Sequence, residues 1–127
     1  MRGETLEMEL LAEQVRVALQ SADLDAYREL LDPNVSWGPP DDPEWGCHNR
    51  KEVLEWYRQG RARGMRADVV ETVVIRDKIL VGLRVHGPEA AGEGDGMDRW
   101  QVLTVLEGRV KDIRGFDRRE EAVDRMR

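Results

Sequence analysis

ADVVETVVIRDKILVGLRVH, residues 67–86, decides the architecture. Valine, isoleucine and leucine dominate it. In its second half Ile79, Val81, Leu83 and Val85 fall on one face, with Arg84 and His86 on the other. A period of two is the mark of a strand with one buried side. Arg76-Asp77 divides the stretch into two strands joined by a tight hairpin connection. The pattern returns in MDRWQVLTVL (97–106) and RVKDIRGF (109–116), which flank Glu107-Gly108. That dipeptide suits the left-handed φ values of a two-residue turn. GPEAAGEGDG (87–96) links the two hairpins as a long Gly-rich loop. Four strands in succession predict an antiparallel meander.

Upstream the period is helical. Met8, Leu11, Val15 and Ala18 recur at steps of three and four, with Leu19 beside them, predicting a helix over 5–20. Asp23 is suited to cap a short helix over 24–31 that Pro33 cannot continue. NVSW (34–37) alternates as a short strand, with Val35 and Trp37 on one side. GPPDDPEWG (38–46) holds three prolines, which remove amide donors and exclude regular structure. Asn49 with Glu52 forms a capping box for a third helix, with Val53, Trp56 and Tyr57 inward and Gly60 and Gly64 at its end. Asp117 with Glu120 reads as a second box, opening a short C-terminal helix.

Helices followed by a meander imply an α+β fold in which the helices cover one face of a twisted sheet. Three short helices do not fill a strongly curved sheet flush, so a conical cavity between the layers is expected. The 127 residues suit a single domain, 1–127, with enough buried surface to need neither disulfide nor metal. Cys47 is the only cysteine, which suits a reducing cytoplasm. A net charge of -6 argues against a nucleic-acid surface. The acidic N-terminus does not read as a signal peptide, and no apolar run approaches a membrane span, so no membrane contact is expected. The expected location is cytoplasmic.

ADLDAYRELLDPNVSW (22–37), CHNRKEVL (47–54) and LEGRVKDIRGFD (106–117), with their spacing, resemble the SnoaL-like branch of the nuclear transport factor 2-like superfamily over about residues 8–126. The resemblance implies a cone-shaped, curved antiparallel sheet (an α+β barrel), three N-terminal helices enclosing an open cavity and a short C-terminal helix. It often implies a homodimer packed through the sheet. Members include polyketide cyclases, ketosteroid isomerases, limonene epoxide hydrolases, dehydratases and non-catalytic binding proteins, so the fold does not fix an activity.

The catalytic sets of those subfamilies are not intact here. Where the steroid isomerases place a tyrosine, a carboxylate base and a protonated aspartate, this sequence aligns Val15, Gly38 and Gln101. Where epoxide hydrolases and cyclases use an aspartate on the last strand, it has Gly115, and their Arg–Asp pair becomes Arg99 and Gln101. Alternation sends Arg99, Gln101, Leu103 and Val105 inward, with Ile113 and Gly115 on the neighbouring strand.

The expected ligand-binding residues are Trp37, Trp45, Trp56, Arg99, Gln101, Leu103 and Ile113. An inward arginine and glutamine need partners, and an acidic or carbonyl ligand end is one source. A local ion pair from Arg99 to Asp98, Glu71 or Glu93 is the other. Cys47-His48 does not read as a nucleophile and base, because neighbours on an extended chain point apart. Two histidines and one cysteine show no metal-ligand spacing. Trp100 should face the convex side, where an exposed aromatic suits a dimer interface. Arg84 and His86 face either that interface or the cavity.

The function these features imply is binding of a small, largely hydrophobic molecule, with no cofactor and a homodimer as the assembly. The competing reading is an acid–base enzyme of cyclase, isomerase or epoxide hydrolase type.

Overall fold

A computed structural model describes residues 2–41, 46–87 and 97–127. The elements run α1 (Arg2–Gln20), α2 (Leu24–Leu30), β1 (Leu31–Gly38), α3 (Arg50–Ala62), β2 (Arg66–Ile75), β3 (Lys78–His86), β4 (Met97–Leu106), β5 (Arg109–Phe116) and α4 (Arg119–Met126). The α+β arrangement and all four strands of the meander follow the sequence pattern closely. The 88–96 loop lies outside the described residues.

Two features of the sheet differ from expectation. Its order is β1-β5-β4-β3-β2, and β1 runs parallel to β5, so the sheet is mixed. It is also open, with β1 and β2 as its edges, and does not close into a barrel. A parallel neighbour needs a long crossover, and here everything from α3 to β4 lies between the two partners. Pro33 is tolerated because it falls on an edge strand, where the register shifts between Leu31 and Ser36.

Curvature has visible causes. Register shifts interrupt the β2–β3 ladder between Val69 and Glu71 and the β4–β5 ladder between Thr104 and Val105. Such bulges bend a strand and increase its twist. Val70, at the first of them, is pushed outward and is 51% exposed.

Each face of the sheet carries a core. On the concave side Ile79, Val81, Leu83, Leu103, Val105, Val110 and Ile113 meet the stripe Leu11, Ala12, Val15, Ala18 and Leu19 of α1, together with Tyr27, Val53 and Leu54. Full burial of one such aliphatic side chain stabilises the fold by about 1.5–3 kcal/mol. On the convex side Leu80, Val102 and Phe116 pack beneath Ala122 and Met126 of α4. Trp100 does face the convex side, but it is half-buried rather than exposed. Arg119 of α4 lies 5.9 Å from its ring centroid, and its ring fills the space that a side chain at Gly82 would need.

The helix caps follow the sequence in two of three cases. Asp23 accepts the Ala26 amide proton at 3.1 Å. Asn49 accepts that of Glu52 at 2.9 Å, while Glu52 accepts from the His48 amide at 2.6 Å rather than from Asn49 itself. The third is corrected. Arg118 stands at the N-cap of α4 and makes no side-chain capping bond, because Asp117 is held by Arg99.

The edge at β2 is covered by Gln20 from the end of α1. Its amide donates to Asp68 at 2.9 Å and accepts the Val69 backbone proton at 2.8 Å. No helix among the described residues is long and apolar enough to cross a membrane.

Candidate functional site

Alternation along β4 and β5 builds the inner wall. Gln101 stands opposite Gly115, and Leu103 opposite Ile113. Leu103 and Ile113 are fully buried in the concave core. One step outward, a β-carbon at Gly115 would have no atom within 4 Å, so open space lies beside Gln101. One further step outward is Arg99, on the same row. The row therefore grades from apolar core, through an amide, to a charged, half-exposed end.

An aromatic cluster packs on the same side. Trp37 of β1 stacks on Tyr57 of α3, with ring centroids 5.1 Å apart and planes at 22°. Tyr27 of α2 meets Tyr57 edge to face at 5.6 Å. β1 holds Trp37 in place by its parallel register with Ile113. Cys47 adds a short antiparallel bridge, exchanging backbone hydrogen bonds with Trp37 at 2.9 and 2.7 Å.

On this side of the sheet three buried side-chain oxygens have no hydrogen-bond partner: Tyr27 Oη, Tyr57 Oη and Gln101 Oε1. The Tyr57 hydroxyl neighbours both Tyr27 and Gln101, but these approaches fall short of hydrogen-bond geometry. Burial lifts both phenols above their ordinary values, Tyr27 strongly, because the phenolate is the form that loses hydration. Both therefore stay neutral donors at physiological pH. Among the described residues Gln101, 6% exposed, is the one buried side chain of polar or charged type.

The residues singled out from sequence divide. Trp37, Gln101, Leu103 and Ile113 all lie on the concave side of the sheet. Trp45 lies outside the described residues. Trp56 does not turn inward as expected but is 58% exposed. The buried stripe of α3 runs through Val53 and Leu54, which rotates Trp56 to the flank. From there it reaches Trp37 only edge-on, at 4.7 Å.

Arg99 is half-exposed, and its guanidinium is taken by Asp117 just past the end of β5. The three partners expected for it fall otherwise. Asp98 binds Arg84 at 3.0 Å and Glu71 binds Arg119 at 2.8 and 2.9 Å, both on the outer side of the sheet, while Glu93 lies outside the described residues. His86, with Arg84, is also outside, 3.0 Å from Asp68.

Tyr27 and Tyr57 are the residues that sequence reading did not nominate. The available signal was a tyrosine on the inward stripe of each of two helices, since a buried phenol seeks a partner.

Burial pushes the Cys47 thiol up, with Glu52 adding to the effect, so little reactive thiolate forms. No three His, Cys, Asp or Glu side chains among the described residues cluster so as to hold a metal ion. A groove of about 410 Å³ lies elsewhere, on the outer side of α1 and α2, lined by residues that include Glu13, Val17, Ala26 and Leu30.

Solved structures share this fold. A protein named Bal32a from a soil-derived mobile gene cassette is 26% identical, with a TM-score of 0.70 over 94% of this chain and 98% of that one. A candidate ketosteroid isomerase from Kribbella flavida is 18% identical, with a TM-score of 0.70 over 87% and 76% of the two chains. An LEH-like epoxide hydrolase of M. tuberculosis is 14% identical, with a TM-score of 0.65 over 94% and 88%. No curated protein sequence matches. The family profile described as SnoaL-like domain matches residues 11–113, from α1 to the inward Ile113 of β5. With that match running from within α1 through α2, α3 and β1 to β4 into β5, the chain belongs to the SnoaL-like domain family.

Proposed function

We propose that this protein binds a small, largely hydrophobic molecule between its aromatic wall and the inner face of β4 and β5, without an acid–base catalytic set. The observation that carries the reading is the group of three partnerless oxygens, one of them on Gln101, which stands opposite the open space at Gly115. Leaving one buried polar atom unpaired costs about 1–3 kcal/mol, and a ligand that pairs them recovers that loss. Tyr57, Trp37 and the apolar floor supply the remaining contact surface.

The alternative is an acid–base enzyme of cyclase, isomerase or epoxide hydrolase type. Asp117 at the rim favours it, as a carboxylate one step beyond the position those enzymes use. Against it, the Asp117 side chain is 78% exposed and held by Arg99, whereas a working acid or base is usually tuned by burial. The reading also includes a cytoplasmic location, in keeping with the single free thiol, and a homodimer formed through the convex side of the sheet.

Native mass spectrometry of the freshly purified protein tests ligand and assembly together. A retained small organic molecule supports binding, and a mass of two chains supports the dimer. Turnover of an epoxide or a β-keto substrate that is lost in Asp117→Asn would replace the binding reading with the enzymatic one.

A further inference from the structure

We infer that the polar end of the ligand is a neutral group that both donates and accepts a hydrogen bond, an alcohol or primary amide, rather than a carboxylate or a ketone. The inference rests on the binding reading above and specifies its chemistry. Gln101 Oε1 is purely an acceptor and is buried without a donor. A ketone, an ether or a carboxylate brings no proton to it. The Tyr57 and Tyr27 hydroxyls need at least an acceptor, and both remain protonated in their buried setting. One hydroxyl, donating to Gln101 and accepting from Tyr57, answers two of these demands, and the Tyr57 oxygen is then left to accept from the neighbouring Tyr27 hydroxyl.

Charge points the same way. A carboxylate at this depth would find no buried counter-charge among the described residues, since Gln101 is the one buried polar side chain there. The nearest cation on the same row, Arg99, stands at the half-exposed rim and is already neutralised by Asp117. Buried charge without a partner is strongly disfavoured. The acidic or carbonyl end that Arg99 suggests from sequence thus loses its support once Asp117 is seen on that guanidinium.

The test uses three probes on comparable saturated rings: menthol, its ketone menthone, and cyclohexanecarboxylate. Binding is followed by calorimetry and by fluorescence of Trp37, which stacks on Tyr57. Menthol should bind roughly tenfold or more tightly than menthone, as a lost hydrogen bond to a buried group implies, and the carboxylate most weakly. In Gln101→Met the advantage of menthol should shrink to within a few-fold while menthone still binds. Tyr57→Phe, a conservative change that keeps the ring stack, should weaken both menthol and menthone.

Menthone binding as tightly as menthol would overturn the inference, meaning that Gln101 presents its N–H side or that the two phenols and the amide satisfy one another. Survival of the menthol preference in Gln101→Met would overturn it too. Failure of all three probes to bind the wild-type protein would reject the binding reading itself, a result distinct from binding without preference.

Discussion

Replacing Gln101 by Met should make the protein more stable, a direction opposite to that of most core substitutions. The two side chains are similar in length, so the change is nearly volume-conserving, and such swaps cost little in packing. What it removes is a carbonyl oxygen buried with no donor in a residue 6% exposed. The desolvation penalty of one such group is about 1–3 kcal/mol. Unfolding entropy scales to about 0.27 kcal/mol/K for a chain of this length. The gain therefore corresponds to a rise in Tm of roughly 4–11 °C. Urea unfolding supplies the second measurement: the midpoint should rise with the m-value unchanged, because the surface exposed on unfolding is the same. A fall of about 1 kcal/mol or more would refute the reasoning, since it would mean that the amide is already well bonded within the fold. A gain in stability joined to loss of menthol binding would mark Gln101 as a group kept for recognition at a cost to the fold.

Three further outcomes are expected. Gly82→Ala would drive a β-carbon into the Trp100 ring, costing about 1–3 kcal/mol by overpacking; chemical denaturation and near-ultraviolet circular dichroism should report the loss and the displaced indole. Asn49→Ala removes the acceptor for the Glu52 amide and should lower stability by about 1 kcal/mol, with hydrogen exchange speeding up first in the opening turn of α3. The Arg119 guanidinium holds the Glu71 carboxyl below its ordinary value. Its contribution is therefore complete above the unfolded glutamate value of about 4.3 and is lost as pH falls through the lower folded value. Glu71→Gln should flatten that part of the acid limb in a pH–stability series, and an unchanged limb would remove the pair from the account.

Much of the fold was legible because its signals are local. The alternation of Ile79, Val81 and Leu83 against Arg84 and His86 assigned both faces of β3. The same reasoning sent Gln101 inward and Trp100 outward before any partner was known. The candidate site was legible only in part. Gln101, Trp37, Leu103 and Ile113 could be placed from period and resemblance, whereas Trp56 fell at the margin of its helix stripe, where a small rotation of α3 decides between inside and outside. Tyr27 and Tyr57 each looked like ordinary core positions, and nothing in either segment tells that their hydroxyls converge.

The sequence by itself determined the elements, their caps at Asp23 and Asn49, and the row of side chains that each strand presents. These depend on backbone preferences and on periods of two or 3.6 residues, which neighbours along the chain enforce. Only the tertiary structure decided that β1 joins β5 in parallel, that Arg99 takes Asp117 away from capping α4, and that two phenols and an amide come close to one another. Each is a meeting of residues from separate elements. Such partners are chosen by how the helices and the bent sheet pack as whole bodies, a choice that no local period encodes.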